Sequence, residues 1–404
     1  MTAKERAAWA AEIEKHLLGH ILPFWAGPAM ESNRGGWHAW LSHDLKPEPT
    51  RPRGLVLNTR ILWTFAAAHD RRPEALFHDR AEVALRWVRD RFWDPVHGGG
   101  FWHLDEGGRV RNDTKQIYGQ AFYVYAMTQY HLAFYAPEVL DRAQTLYRLI
   151  DRYAHDSRHG GYFEAFERDW SKPAISLVGG HELGAAKSMN TNLHVLEAWT
   201  TLYQAWQHPA VAARLRELLL LFLEKILNPQ TGHLEHYFAA DWRVLSDNYT
   251  YGHDIEASWL LCEAAEALNE EALVKRARSA AVLMAEAVAR EGLGADGGVA
   301  YEGRAGRVTD TGRDWWVQAE ALVGFLNAWQ ITGQKTYAIA ARRVWDFIRT
   351  RVADPEYGDW HWRVDTEGRP DRSRPKVSEW KGPYHSSRAC LEAIRRLVGT
   401  AGAS

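Results

Sequence analysis

A unit of helix, glycine-aromatic turn and second helix recurs six times along this chain. The recurrence is clearest at the glycines that open the turns, and successive glycines are 61 to 72 residues apart; they are Gly35, Gly98, Gly160, Gly232, Gly297 and Gly358. Recurrence of one supersecondary unit at a nearly constant period indicates a repeat architecture in which neighbouring units bury a common core. This repeat constrains the fold more than any other feature of the sequence.

The two helices of a unit differ in their pattern of apolar residues. The first helix is amphipathic, as in residues 5–25, where Trp9, Ile13 and Leu17 recur at a spacing of four. The second is apolar almost all round, as in residues 55–68, which is typical of a helix buried on both sides. Six units therefore predict twelve helices in an outer and an inner ring, an all-α (α/α)6 barrel with short β-hairpins at one mouth. An open helical solenoid is the alternative, but its terminal repeats should be atypical, and these are not.

Composition limits the cellular setting and the partners. The chain has 404 residues and a formal net charge of −2, so neither nucleic acid nor an anionic membrane is an expected partner. The sequence shows no signal-peptide core and no apolar run of 18 residues, which predicts a cytoplasmic protein. Its two cysteines, Cys262 and Cys390, exclude a disulfide framework and a thiolate zinc site. We expect residues 1–404 to form one domain and the protein to be a monomer.

Polar residues that interrupt the apolar pattern gather where the second helices begin. Because each turn leads directly into an inner helix, these six starts should ring one mouth of the barrel. The residues concerned are Asn58, Arg60, Tyr118, Ser188, Asn190, His194, His253, Glu256, Trp315, Trp316, Glu320, Trp380, Lys381, Tyr384, His385 and Arg388. A content of 20 tryptophans also suits a pocket that stacks on the apolar faces of sugar rings.

Three histidines at equivalent positions of three repeats favour catalysis over a purely structural role. Three imidazoles can form a zinc site, but these come from separate helices with no His-x-x-x-His pair and no cysteine nearby. A glycosidase would need two carboxylates, for which Glu256 and Glu320 are the candidates. Two imidazoles on opposite walls could instead remove and return a proton near neutral pH.

Four sequence runs resemble the N-acylglucosamine 2-epimerase superfamily, and within it the cellobiose 2-epimerases. These runs are Leu57-Asn58-Thr59-Arg60-Ile61-Leu62-Trp63, Ser188-Met189-Asn190-Thr191, Gly252-His253-Asp254-Ile255-Glu256-Ala257-Ser258-Trp259 and Trp380-Lys381-Gly382-Pro383-Tyr384-His385. The resemblance covers essentially the whole chain. It implies an (α/α)6 barrel that interconverts glucose and mannose at the reducing end of β-1,4-linked disaccharides, without a cofactor or metal.

The resemblance also implies roles for individual residues. It assigns the acid/base pair to His253 and His385, and makes His194 a third pocket histidine near sugar oxygens 1 and 2. Glu256 would orient a catalytic imidazole. The remaining matches are substrate contacts and aromatic walls, namely Arg60, Tyr118, Asn190, Trp259, Trp315, Trp316 and Trp380.

Two departures from the family pattern leave substrate preference open. Asn192 stands where many relatives carry histidine, and Ser386 where asparagine is common. A mannose 2-epimerase, a mannose–fructose isomerase and a non-catalytic sugar-binding toroid remain as alternatives. The Gly- and Ser-containing insert at residues 172–187 is a candidate lid over the mouth.

Overall fold

Helices account for most of the fold in the computed structural model, which describes residues 1–31 and 35–399. An outer helix and an inner helix alternate along the chain. Within the described residues the α-helices are α1 (Ala3–His16), α2 (Leu22–Ala26), α3 (Leu55–Arg71), α4 (Ala75–Arg86), α5 (Ile117–Phe134), α6 (Pro137–Tyr153), α7 (Met189–Ala205), α8 (Pro209–Leu221), α9 (Tyr251–Leu268), α10 (Glu271–Ala287), α11 (Trp315–Thr332), α12 (Lys335–Phe347) and α13 (Tyr384–Val398). A π-helical turn at Leu17–Ile21 joins α1 and α2, so the chain supplies the twelve predicted helical rods.

The inner helices form a closed ring. Each of α3, α5, α7, α9, α11 and α13 packs against the next, and α13 returns to pack against α3. The outer helices lie against them, α1 on α13 and α4 on α3, with the same pairing continued around the barrel. An open solenoid would leave its first and last helices without this contact, so the prediction of a closed (α/α)6 barrel is confirmed.

Burial follows the two kinds of helix. Every residue of α3 from Leu55 to Ala68 is buried, because outer helices cover one side and the barrel interior covers the other. In α6 only one stripe is buried, comprising Val139, Ala143, Leu146, Tyr147 and Ile150. The core therefore lies mainly between the two rings.

Short antiparallel strands link each unit to the next at one mouth of the barrel. They are β1 (Arg53–Gly54), β2 (His103–Leu104), β3 (Val110–Asn112), β4 (Lys115–Gln116), β5 (Ala165–Phe166), β6 (Lys187–Ser188), β7 (Tyr237–Phe238), β8 (Asn248–Thr250), β9 (Glu302–Arg304), β10 (Arg307–Asp310), β11 (Arg313–Asp314) and β12 (Arg363–Val364). The strand before an inner helix pairs with the turn of the following unit, as in β1–β2, β4–β5, β6–β7, β8–β9 and β11–β12. The start of each of these inner helices is thereby anchored to the next repeat.

The repeated glycines make room for tryptophans of the following unit. Gly161 has a φ of +72°, a left-handed conformation that side chains rarely adopt, and a Cβ there would lie 2.5 Å from the ring of Trp242. Gly99, with φ +76°, stands in the same relation to Trp170, at 2.8 Å. The recurring Gly-Gly pair is therefore needed for both backbone shape and packing between repeats.

The ends of the outer helices differ from the prediction. Among the described residues, four of them finish in a π-helical turn, at Trp87–Arg91, Phe222–Ile226, Val288–Gly292 and Ile348–Val352, and a fifth such turn, Leu17–Ile21, lies inside the first outer rod between α1 and α2. Periodicity alone does not distinguish these turns from α-helix. Both cysteines are buried and unpaired. Among the described residues, none of the helices combines the length and apolarity that crossing a membrane requires.

Candidate active site

Ten of the eleven predicted site residues line one cavity of about 190 Å³ at the mouth where the inner helices begin. Each inner helix contributes from its first turns, so residues far apart in sequence converge. The predicted residues in the wall are Arg60, Tyr118, Asn190, His194, His253, Glu256, Trp315, Trp316, Trp380 and His385. Val178 and Tyr301 complete the lining.

Trp316 brings His253 and His385 together. The indole lies with its ring centroid 4.8 Å from that of His253 and 5.8 Å from that of His385. The ring fits because Gly252, at the start of α9, has no side chain: a Cβ there would lie 2.4 Å from the indole. Imidazoles from α9 and α13 thus approach one aromatic surface inside one cavity.

Each of the three histidines has a different hydrogen-bond partner at Nδ1. His385 Nδ1 lies 2.6 Å from Glu320 Oε1, and His194 Nδ1 lies 2.8 Å from Glu197 Oε2. His253 Nδ1 lies 2.5 Å from the hydroxyl of Thr250. Two imidazoles are therefore held by carboxylates and one by a neutral hydroxyl.

Glu256 does not occupy the position expected for it. We expected this carboxylate to orient a catalytic imidazole, but it accepts a hydrogen bond from Arg388. Glu320 instead orients His385. The prediction for Glu256 is therefore wrong in its partner, although the residue does line the cavity.

Arg388 forms an ionic hub beneath the cavity. Its guanidinium donates to Glu197, Glu256 and Glu320, and to the hydroxyl of Tyr384. The side chain is 1% exposed. A buried guanidinium requires such partners, since an unpaired charge inside a protein costs several kcal/mol. The hub fixes the carboxylates that in turn hold His194 and His385.

The surroundings of Arg388 lower the pKa of one of its three carboxyl partners and raise the pKa of the other two. Burial alone would raise the pKa of Glu197, but Arg388 and His194 outweigh burial and lower it to about 2. For Glu256, burial and the neighbouring Glu320 prevail over Arg388 and raise the pKa to about 7. Burial also raises the pKa of Glu320, with Arg388 opposing it. The cavity wall thus contains one carboxyl group that titrates near neutral pH.

Burial lowers the pKa of both histidines that flank Trp316. The pKa of His253 lies well below its usual value because of burial, reinforced by His236, His194 and His385. The pKa of His385 is lowered by burial, then by Arg60 and Arg388. Both rings therefore favour the neutral form, which can accept a proton.

Hydrogen-bond donors and unpaired polar atoms also line the cavity. Arg60 donates to the hydroxyl of Tyr118 at 2.7 Å and to the backbone oxygen of Trp380 at 3.3 Å. Among the described residues, Arg60 Nε, Asn190 Oδ1 and Trp315 Nε1 are buried and have no hydrogen-bond partner. Buried polar atoms are normally satisfied, so unpaired ones in a cavity wall suit a ligand rich in hydroxyl groups.

The donor atoms present do not favour a metal in the cavity. Ligand atoms of Glu256, Glu320 and His385 lie within 4.8 Å of one another. However, Arg388 donates to both carboxylates, so a guanidinium already fills the place of a cation. Glu320 also lies outside the cavity wall and accepts from Trp259, so it is not placed to flank a glycosidic bond.

A second group of possible ligands lies away from the cavity. His43, Asp354 and His361 have ligand atoms within 4.8 Å of one another. Lys376 Nζ lies 2.5 Å from Asp354 Oδ2. An ammonium in that position competes directly with a metal ion, so this group is explained as a structural ion pair within the sixth unit, with His43 of the segment after α2 stacked on His361.

Trp259 and the two family departures lie behind the wall. Trp259 is buried and donates its indole N–H to Glu320 Oε2 at 3.1 Å, so it is not a pocket tryptophan as expected. Asn192 bonds the backbone of Tyr162, and Ser386 bonds the backbone oxygen of Pro383. Neither departure lines the cavity.

Sequence reasoning missed four residues that shape the site. Val178 and Tyr301 come from the insert and from a turn, where no periodicity marks a pocket position. Thr250 ends a strand, and Glu197 supports His194 from behind. Only Glu197 had a usable signal: it lies three residues after His194 on one helix, a spacing that places both side chains on the same face.

Comparison with known proteins places this site in context. Residues 35–389 match the family model described as N-acylglucosamine 2-epimerase (GlcNAc 2-epimerase). A cellobiose 2-epimerase of Bacteroides fragilis is 35% identical, over 95% of this chain and 98% of its own. The structure of cellobiose 2-epimerase from Bacillus thermoamylovorans B4167 superimposes with a TM-score of 0.91 at 35% identity, covering 96% of this chain and 100% of that one. A D-mannose isomerase of Marinomonas mediterranea is 25% identical over 96% of each chain.

Proposed function

The chain belongs to the N-acylglucosamine 2-epimerase family, and from that premise we propose that it inverts carbon 2 of the reducing-end glucose or mannose in β-1,4-linked disaccharides such as cellobiose. It is a carbohydrate epimerase, and therefore an isomerase. One observation carries the proposed reaction: His253 and His385 approach a single indole, Trp316, from two different helices inside one cavity.

Inverting a carbon next to a carbonyl group requires proton transfer at both faces of that carbon. A neutral imidazole removes the proton from carbon 2, and a second imidazole, which takes up a proton from solvent, returns it to the opposite face of that carbon. The two imidazoles come from different helices, so one can act as the base and the other as the acid once carbon 2 has turned its opposite face to the second ring. Positioned proton transfer of this kind contributes about 10²–10⁴-fold to the rate.

Ring opening comes first, because carbon 2 becomes acidic only beside a free aldehyde. His194 is the candidate for this step, with Glu197 accepting from its Nδ1 and leaving Nε2 for the sugar. Removal of the carbon 2 proton then yields an enediolate, whose negative charge needs donors. Arg60 supplies a permanent charge at that place, and Asn190 supplies a polar side chain.

Reprotonation requires the intermediate to turn its other face to the second histidine. Rotation about the bond between carbons 2 and 3 accomplishes this. An aromatic surface permits such rotation better than a set of fixed hydrogen bonds, because stacking is not directional around the ring normal. Trp316, in contact with both imidazoles, is the surface proposed for the turning group.

The second sugar is proposed to rest toward the opening of the cavity. Trp380, half-buried in the wall, offers an aromatic face there. Val178 brings the insert of residues 172–187 to the same rim, and Tyr301 faces Trp316 edge-on at 6.2 Å. These groups would distinguish a disaccharide from a monosaccharide.

The test is incubation of the purified protein with cellobiose in deuterium oxide. We expect 4-O-β-glucosyl-mannose carrying one deuteron at carbon 2, identified by chromatography and NMR. A parallel incubation with mannose separates the alternatives: fructose as the main product indicates an aldose–ketose isomerase, and glucose a monosaccharide epimerase. A folded protein that converts neither sugar would overturn the proposal in favour of a binding role.

Variants of the two imidazoles test the mechanism. His253→Ala and His385→Ala should each lose epimerisation by at least about 10³-fold while keeping the circular dichroism spectrum of the parent. His78→Ala, a histidine exposed on the outer helix α4, is the matched control and should keep full activity. Near-normal turnover in either site variant would contradict the two-histidine mechanism.

A further inference from the structure

Thr250 is the residue that precedes helix α9, and its hydroxyl is used in an unusual way. Its backbone is extended, with φ −114° and ψ 130°, as expected of an N-cap residue. An N-cap hydroxyl normally accepts a hydrogen bond from a backbone N–H in the first turn of the helix. Here the hydroxyl makes no such bond, and lies instead 2.5 Å from Nδ1 of the His253 ring.

The third repeat shows the ordinary use of the same position. Ser188 ends strand β6 and precedes α7, just as Thr250 ends β8 and precedes α9. Its backbone is also extended, with φ −121° and ψ 151°, and its hydroxyl accepts from the backbone N–H of Thr191 at 3.1 Å. In the fourth repeat the hydroxyl at this position therefore does not cap the helix, and contacts an imidazole in the cavity wall instead.

Resting on the proposed function, we infer that Thr250 is a positioning residue that holds His253 in the tautomer with hydrogen on Nδ1 and Nε2 free for the sugar. A histidine acting through Nε2 keeps its Nδ1 hydrogen both before and after it takes up a proton. A hydroxyl oxygen can accept that hydrogen in both states. The same contact thus serves the whole cycle of proton removal and return.

The surroundings leave Thr250 little freedom to release the imidazole. The residue is 5% exposed, so water does not compete for its hydroxyl. Its backbone N–H donates to His236 Nε2 at 3.3 Å, which ties the residue to the neighbouring turn. The ring of His236 lies perpendicular to that of His253 with centroids 5.5 Å apart, closing the side away from the sugar.

The partner of His253 also distinguishes it from the other cavity histidines. Glu320 and Glu197 accept from His385 and His194, and a carboxylate stabilises an imidazolium more strongly than a hydroxyl does. The titratable groups that face His253 are His236 from the turn, His194 from α7 and His385 from α13. Thr250 therefore fixes orientation and tautomer without placing a negative charge beside the ring.

A matched pair of substitutions at residue 250 tests the inference. Thr250→Val keeps the shape and removes the hydroxyl, and Thr250→Ser keeps the hydroxyl. We expect the valine variant to lose about 10–100-fold in kcat on cellobiose with KM changed by less than about twofold, and the serine variant to stay within about threefold of the parent. The acid limb of kcat/KM should move to lower pH in the valine variant only, because the imidazolium loses a hydrogen-bond acceptor.

Ser188→Ala supplies the control for loss of a helix cap. It should lower the melting temperature without a comparable loss of kcat, because the Ser188 hydroxyl caps α7 by accepting from the backbone N–H of Thr191. Equal kcat in the valine and parent proteins would overturn the inference. Equal losses in the valine and serine variants would do so as well, since the hydroxyl would then be irrelevant.

Histidine ¹⁵N NMR gives a readout that does not depend on turnover. The signals of His253, identified by their loss in His253→Gln, should report hydrogen on Nδ1 in the parent and a mixed or reversed tautomer in Thr250→Val. A parent protein with hydrogen on Nε2 would overturn the inference even if epimerisation occurs. A parent protein that epimerises no sugar would contradict the proposed function, while the tautomer measurement would still decide the role of Thr250.

Discussion

Replacing Glu320 by glutamine should shift His385 away from the tautomer that carries its hydrogen on Nδ1. Three donors point at this carboxylate: Nδ1 of His385 and Nη2 of Arg388 at Oε1, and the indole N–H of Trp259 at Oε2. A glutamine amide has only one oxygen. If that oxygen faces His385 and Arg388, the amide N–H₂ group meets the indole N–H, and two donors oppose each other. If the amide is reversed, its N–H₂ group meets Arg388, and His385 can accept from it only when Nδ1 carries no hydrogen, which is the wrong tautomer.

The magnitude follows from these contacts. A histidine locked in the wrong tautomer by the same acid-to-amide change in a catalytic triad loses about 10⁴-fold. Here the first amide orientation keeps a productive fraction, so we expect kcat to fall by about 10²–10⁴-fold, or roughly 3–5 kcal/mol. Stability should change by less than the roughly 3–5 kcal/mol of a broken buried ion pair, because Arg388 keeps Glu197 and Glu256 as carboxylate partners.

A double-mutant cycle with Trp259→Phe tests the cause. Phenylalanine removes the indole N–H, so the amide of Glu320→Gln can turn its N–H₂ towards that space and keep its oxygen for His385 and Arg388. We expect the double variant to recover about tenfold in kcat over Glu320→Gln alone, a coupling of about 1.4 kcal/mol. The assay is initial-rate epimerisation of cellobiose, with thermal unfolding as the check on folding. Strictly additive losses would refute the argument from donors and acceptors.

Two further predictions concern packing and pH. Gly252→Ala should lower kcat by about tenfold or more, because the new methyl group would displace Trp316. Alanine normally stabilises a helix by about 1 kcal/mol over glycine, so a more stable variant with unchanged kcat would contradict this prediction. Initial rates and the melting temperature are the measurements. Because burial lowers the pKa values of His253 and His385, the neutral rings persist below pH 6.5, so the acid limb of kcat/KM should lie below that pH; a limb at or above pH 6.5 would refute this reading.

The ring of helices could be predicted from sequence because every repeat has the same pattern of an amphipathic helix followed by an apolar one. Periodic burial in the outer helices and continuous burial in the inner ones are local properties, and both are confirmed. The repeat also places the inner helix starts at one mouth, which is why ten predicted site residues share one cavity. Closure of the ring follows from six similar units, none of which has a capping sequence.

Tryptophan content was a weaker guide than helix position. Trp25, Trp37, Trp102, Trp199 and Trp345 are among the largest fully buried side chains, and they fill space between elements of the barrel. Of the three that line the cavity, Trp315 and Trp316 belong to the first turn of an inner helix, and Trp380 lies in the segment just before one. Location in the repeat therefore separates pocket tryptophans from core tryptophans, whereas composition does not.

The supporting contacts could not be predicted because they join different repeats. Glu320 of the fifth unit holds His385 of the sixth, and Glu197 of the third unit meets Arg388 across the barrel. Hydrophobic periodicity specifies which face of a helix is buried. It does not specify which of several nearby carboxylates a buried guanidinium will bind. Glu256 illustrates the limit. It lies on the same helix as His253, three residues further along, yet it pairs with Arg388.

Three carboxylates around one guanidinium have a consequence for function. A single positive charge cannot neutralise three buried negative charges, so the group is most stable when at least one carboxyl is protonated, and burial with Glu320 nearby raises the pKa of Glu256 to about 7. Because this pKa exceeds that of the unfolded chain, the stabilising proton is held at low pH and is lost as the pH rises through about 7. The protein therefore retains, in its cavity wall, a carboxyl group whose ionisation works against folding, as expected where electrostatics serve catalysis. Glu256→Gln should accordingly flatten the loss of stability between about pH 4.5 and pH 7 while reducing epimerase activity.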